Sequence, residues 1–143
     1  MSGLIRVVVD TNVFYIAFYN PSSKAMRVLN YAIENKLSIF SPDTVREELS
    51  RLLISDFAFD TNEKNTIIES LPVQWVGKEF YANHMKGTDV IVHKPDRPLL
   101  ACALGLRCGI LTANIKHFKP ARKVVTVWDI NELLKELSKH EKQ

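Results

Sequence analysis

Val7, Val8 and Val9, followed at once by Asp10, constrain this chain more than any other stretch. An unbroken β-branched run reads as a strand buried on both faces, as in a parallel sheet. A carboxylate at its carboxyl end stands where open α/β folds place their ligands. An uncompensated charge there is costly, so Asp10 calls for a buried partner such as a metal ion. The alternative is a carboxylate that caps the helix after it. Both readings stay open at this point.

The remainder of the chain alternates strands with helices. Val13 to Tyr19 reads as a short apolar helix or turn, and Ser22 or Ser23 caps a helix with Met26, Leu29, Ala32 and Ile33 on one face. Leu37 to Phe40 is a second strand. Ser41-Pro42-Asp43 then predicts a helix start, with Ser as cap and Pro at the first helical position. Val45, Leu49, Leu52 and Leu53 form the buried face of that helix. Asp60 with Glu63 is a capping box for a helix through about Ser70, and Val73 to Val76 is a third strand. Lys78 to Lys86 reads as helical, and Val90 to Val92 as a strand edge or extended loop. Leu99, Leu100, Ala103 and Leu106 mark a further buried helix. Ile110 to Thr112 is a fourth strand, Ala113 to Lys123 a basic loop, and Val124 to Val127 a fifth strand. Asp129 and Glu132 box the last helix, from Ile130 to about Leu137, with a frayed tail beyond about Lys139. This order predicts an α/β fold: a single α/β/α sandwich, residues 1–143, around a parallel sheet of about five strands.

Size and composition agree with one soluble domain. The 143 residues are enough for one core and too few for two, and 46% hydrophobic with 24% charged residues is ordinary for a globular protein. The net charge of +3 permits a polyanionic partner without demanding one. With no signal-peptide pattern and no cysteine framework, a reducing cytoplasm is the expected compartment, and Cys102 and Cys108 are expected to be buried thiols. No apolar run approaches the roughly 18 residues that span a bilayer, so no membrane partner is expected.

In a parallel sheet the residues after each strand collect at one edge. Asp10, Glu48, Asp96 and Asn114 meet that condition, and three carboxylates with an amide suit a hard divalent cation, Mg²⁺ or Mn²⁺. Such a cation holds a phosphodiester and acidifies water. No short-spaced set of Cys and His offers a soft-metal site. Lys94, Arg97, Lys116, Lys119, Arg122 and Lys123 are expected around that edge, where they would guide phosphates. Tyr15, Phe18 and Tyr19 either stack on splayed bases or belong to the core or a dimer surface.

VVVDTNVF at the start, the Ser41 to Leu53 helix with Glu48-Leu49 and Leu52-Leu53, Asp96 ahead of LLACALGLRCG, and LTANIKHF together resemble the PIN-domain family. The nearest likeness is to VapC-type toxin ribonucleases and related prokaryotic PIN proteins, and it covers essentially the whole chain. The resemblance implies an Mg²⁺- or Mn²⁺-dependent endoribonuclease with acids at Asp10, Glu48 and Asp96. Glu47 is the rival for the second position, and Asn12 and Thr112 would orient carboxylates or water. It also implies a homodimer and an antitoxin partner. The chain departs from the family where a fourth acid is common, having Asn114 and His117 there. Asn114 offers a carbonyl oxygen, and His117 a ligand for Mn²⁺, a contact to phosphate or simply a packed loop residue. A catalytically reduced PIN module that binds RNA or a protein is therefore the rival reading. A nucleotide-binding fold is disfavoured, because the first strand-to-helix turn has no glycine-rich loop.

Overall fold

The computed structural model describes residues 3–141. Five strands, β1 (Arg6–Val9), β2 (Ser38–Pro42), β3 (Val73–Val76), β4 (Gly109–Leu111) and β5 (Val127–Trp128), form one sheet in the order β3-β2-β1-β4-β5. Every pairing is parallel. The central strand is the valine run, and Val7, Val8 and Val9 are fully buried between two helical layers. At roughly 1.5–3 kcal/mol for each buried side chain, this run is a large part of what fixes β1 at the centre.

Helices α1 (Thr11–Tyr19), α2 (Lys24–Ile33), α3 (Asp43–Ser55), α4 (Thr61–Ser70) and α8 (Ile130–Glu141) pack in a chain of neighbours. Helix α6 (Arg97–Leu106) lies over β1, β2 and β4, with α5 (Lys78–Tyr81) against it. The predicted α/β/α architecture with a five-stranded parallel sheet is what the chain adopts. No helix of the described residues is long and apolar enough to cross a membrane.

Local signals set several boundaries. Ser23 Oγ accepts from Met26 N to start α2, and Asp60 and Glu63 exchange both bonds of a capping box at α4. Asp129 and Glu132 do the same at α8, with bonds of 2.9 and 2.7 Å.

Tertiary contacts move the others. Ser41 and Pro42 extend β2 and pair with Trp75 and Val76, so Ser41 is no cap. Its buried hydroxyl instead donates to Val9 O at 2.7 Å and ties β2 to β1. Ile33 lies on the solvent side of α2, where Ala25 and Val28 take the core positions. Leu52 and Leu106 are only half-buried. The predicted helix over Lys78–Lys86 tightens into a 3₁₀ turn over Ala82–Thr88. Val90 to Val92 forms no strand; Ile91 is buried and Val92 stands in solvent.

The expected loop after β4 is instead α7 (Ile115–Phe118) and a 3₁₀ turn over Lys119–Lys123, anchored by buried Phe118 and Ala121. Strand β5 is shorter than expected and starts only at Val127. Helix α8 continues past Lys139 to Glu141, and the rest of the expected frayed tail, residues 142 and 143, lies outside the described residues. Cys102 and Cys108 are free, and burial pushes their thiols up to about 12 and about 11.

Candidate functional site

Strand order reverses between β1 and β4, since the chain leaves β1 toward β2 on one side and returns through β4 on the other. Open parallel sheets form a crevice at such a point, outside the carboxyl ends of the strands. Asp10 follows β1 there, and Thr112, Ala113 and Asn114 follow β4.

Asp10 both caps a helix and faces the crevice. Its Oδ1 accepts from Thr11 N at 2.8 Å, which starts α1. Its Oδ2 accepts from Thr112 Oγ1 at 2.8 Å and Asn12 Nδ2 at 3.2 Å. Asn12 Oδ1 accepts from Ala113 N at 3.1 Å, and Thr112 Oγ1 from Asn114 N at 2.9 Å. The network stitches β1, α1 and the β4–α7 link around one carboxylate that is only 7% exposed. Burial raises the Asp10 carboxyl to about 6; the Thr112 bond works against this, while Asp96 and Glu48 push it further up.

A cleft of about 280 Å³ opens over Asp10, and its lining includes Glu47, Glu48 and Asp96. Glu48 is the glutamate whose charge acts on Asp10, whereas the charge of Glu47 acts on Tyr81. The Tyr81 hydroxyl donates to Asp43 at 2.6 Å. Asp96 stands between the 3₁₀ turn Lys94–Asp96 and α6, and its side chain makes no cap bond. Its Oδ2 lies 2.9 Å from His117 Nδ1 and 3.1 Å from His93 Nδ1.

Three further lining residues were not singled out from sequence: His93, Thr44 and Arg51. Thr44 precedes Glu48 by four residues, one helical turn, so the two share a face of α3. Its Oγ1 is buried without a hydrogen-bond partner among the described residues. His93 lies three residues before Asp96, a spacing visible in the sequence, but His117 reaches the same carboxylate from another element.

The other expected residues divide. Asn114 contributes its backbone N–H to the network and does not line the cleft. Lys94 and Lys116 are exposed. Arg97 donates from Nε to Ile91 O at 2.8 Å and so holds the segment before Asp96. Arg122 and Lys123 are not at this edge. They line a hollow with Val124 to Val127, at the amino end of β5, because α7 and the following turn carry the chain back across the sheet before a parallel strand begins. Tyr15 donates to Asp56 at 2.9 Å and packs with Phe57, as does Phe18, whereas Tyr19 is 76% exposed.

A family model for the PIN domain matches residues 6–116. The chain belongs to the PIN-domain family. Solved structures share its PIN fold at low identity. VapBC2 from Rickettsia felis, bound to a DNA fragment from its promoter, superposes with a TM-score of 0.61 at 17% identity, covering 87% of this chain and 100% of that one. VapBC-1 from nontypeable Haemophilus influenzae gives 0.64 at 15% identity, covering 89% and 99%. FitAB bound to the IR36 DNA fragment gives 0.58 at 16% identity, covering 87% and 94%. No curated protein sequence matches the chain. Within this PIN fold the β1–β4 crevice carries the buried Asp10 directly after β1, with Glu48 of α3 and Asp96 just ahead of α6 lining the same cleft.

Proposed function

We propose that this PIN protein is a divalent-metal-dependent endoribonuclease that cleaves RNA phosphodiester bonds as the toxin of a toxin–antitoxin pair. PIN domains are generally nucleases that use divalent metals. The observation that carries the reading is Asp10: a buried carboxylate with its carboxyl raised to about 6, sharing one cleft with Asp96 and Glu48. An all-oxygen donor set of Asp10, Asp96 and Glu48 fits Mg²⁺ or Mn²⁺. The unpartnered Thr44 Oγ1 in the same cleft adds a further oxygen awaiting a partner.

Asp10, Asp96 and Glu48 would hold the cation. When bound, it supplies charge to neutralise the phosphodiester and to acidify water. The chain's own residues do the rest. Asn12 and Thr112 orient the Asp10 carboxylate through hydrogen bonds to Oδ2. His117, which contacts Asp96, and the exposed Lys94 and Lys116 would contact the RNA backbone, and Arg97 would shape that contact through the segment it anchors. The antitoxin of such a pair would cover this cleft, and the toxin would act as a homodimer in the cytoplasm.

The test is cleavage of a labelled single-stranded RNA panel by the metal-free protein, by the protein with Mn²⁺ or Mg²⁺, and by the protein with chelator. Cleavage is expected only with metal, and Asp10→Asn and Asp96→Asn are expected to lose it while remaining folded. Undiminished cleavage by both variants would overturn the proposal. The rival reading, an RNA- or protein-binding module of reduced activity, is favoured by the absence of an acid at Asn114 and His117. Asn114→Asp is expected to increase Mn²⁺-dependent cleavage; no increase together with retained RNA binding supports the rival.

A further inference from the structure

His93 and Asp96, three residues apart at the turn before α6, and His117 from α7 bring their ligand atoms within 4.8 Å of one another. Both Nδ1 atoms face the same oxygen, Asp96 Oδ2. The two rings stand with centroids 5.1 Å apart and planes tilted by 35°. Neither imidazole makes another hydrogen bond among the described residues, and Asp96 Oδ1 makes none either. The cluster sits at the mouth of the acidic cleft, with both histidines about half-exposed and Asp96 at 15%.

Two imidazoles and one carboxylate are a different donor set from the oxygen-only cleft behind them. Nitrogen donors select borderline divalent ions such as Zn²⁺, Co²⁺ or Ni²⁺ over Mg²⁺. The spacing of the three groups is that of ligands around one ion. With metal–ligand bonds of about 2.1 Å, neighbouring ligands on an octahedral ion stand about 3.0 Å apart, and on a tetrahedral ion about 3.4 Å. The two histidine–Asp96 separations, 3.1 and 2.9 Å, match the first, and the histidine nitrogens lie within 4.8 Å of each other.

We propose that His93, Asp96 and His117 form a transition-metal site at the rim of the cleft, separate in its selectivity from the Asp10 position. Asp96 serves both, with Oδ2 toward the histidines and Oδ1 left for the cleft. Occupancy would clamp the segment before α6 to α7, because His93 and His117 belong to those two elements. The inference does not depend on whether the protein cuts RNA.

The experiment is calorimetric titration of the untagged, metal-free full chain with ZnCl₂ and, separately, MgCl₂. One equivalent of Zn²⁺ is expected to bind. His93→Ala, His117→Ala and the double variant are expected to weaken it by about tenfold or more, with Asp10→Asn within about threefold of the parent. Unfolding curves without metal establish that the variants fold. X-ray absorption at the zinc edge of the unmodified protein supplies a readout that needs no variant: two imidazole nitrogens are expected. No Zn²⁺ uptake, equal uptake by the double variant, or an oxygen-only shell would overturn the site. Loss of RNA cleavage in Asp10→Asn with zinc uptake intact separates this inference from the nuclease reading.

Discussion

Asp10→Asn has a consequence for stability that is separate from activity. In the unfolded chain this carboxyl ionises near 3.8, and in the folded chain near 6, with burial as the main cause. Between those values the folded state binds more protons than the unfolded one, so stability falls as pH rises from about 4 to about 6 and levels off above that. A rise from 3.8 to about 6 corresponds to about 3 kcal/mol. Asparagine removes this penalty at every pH. Its amide keeps the acceptor for Thr11 N but presents NH₂ toward Asn12 Nδ2 and Thr112 Oγ1, losing about 1 kcal/mol of hydrogen bonding. The metal-free variant is therefore expected to be more stable than the parent by about 2 kcal/mol at pH 7.5 and slightly less stable near pH 4. Urea unfolding in chelator at both pH values measures the crossover. A difference of one sign and one size at both pH values would refute the reasoning, because it would mean that Asp10 is not held at a raised pKa. Under the proposed function, Mg²⁺ at a hundred times its dissociation constant restores about 2.7 kcal/mol to the parent and nothing to the variant.

Ser41→Ala is expected to cost about 1–3 kcal/mol, measured by the urea midpoint, because it leaves the buried Val9 carbonyl without its hydroxyl donor; an unchanged midpoint would argue against that bond. Gly109→Ala is expected to cost about 1–3 kcal/mol, since a Cβ there meets Thr126 O at 2.9 Å and Trp128 Nε1 at 3.0 Å. A variant with parental thermal stability would mean that β5 yields to the methyl group without strain.

How much was legible in the sequence depended on how far the deciding contact lay from the residue. The valine run and the capping boxes at Asp60 and Asp129 carry their causes within four residues, and these elements appear where local chemistry places them. Ser41-Pro42 reads as a helix start for equally good local reasons, yet pairing with Trp75 and Val76 holds both residues in β2. The stretch from Ala113 to Lys123 is polar enough to read as loop; what orders it is the burial of Phe118 and Ala121.

For the candidate site, the strand-end rule brings Asp10, Glu48 and Asp96 to one crevice from the alternation of elements alone. The same rule misplaced Arg122 and Lys123, since a parallel connection must return to the opposite edge before the next strand. Asp96's contact with His93, three residues away, was within reach of local spacing, whereas its contact with His117 joins residues twenty-one apart on another element. Thr44 was hidden for a different reason: a partnerless hydroxyl is a property of packing and leaves no trace in composition.

The groups that hold Asp10 also explain why its charge is available to a cation. Thr11 N, Asn12 Nδ2 and Thr112 Oγ1 are all neutral donors, so they fix the position of the carboxylate oxygens without cancelling their charge. Among the described residues no Lys or Arg forms an ion pair with Asp10, Glu48 or Asp96. A guanidinium in their place would lower the Asp10 carboxyl and stabilise the fold, but it would fill the position that a metal ion would take. Arg51 lines the cleft without forming such a pair. The raised carboxyl at Asp10 thus reflects burial of a carboxylate that is oriented in advance and paired with no Lys or Arg, the arrangement that the cation of the proposed function would require.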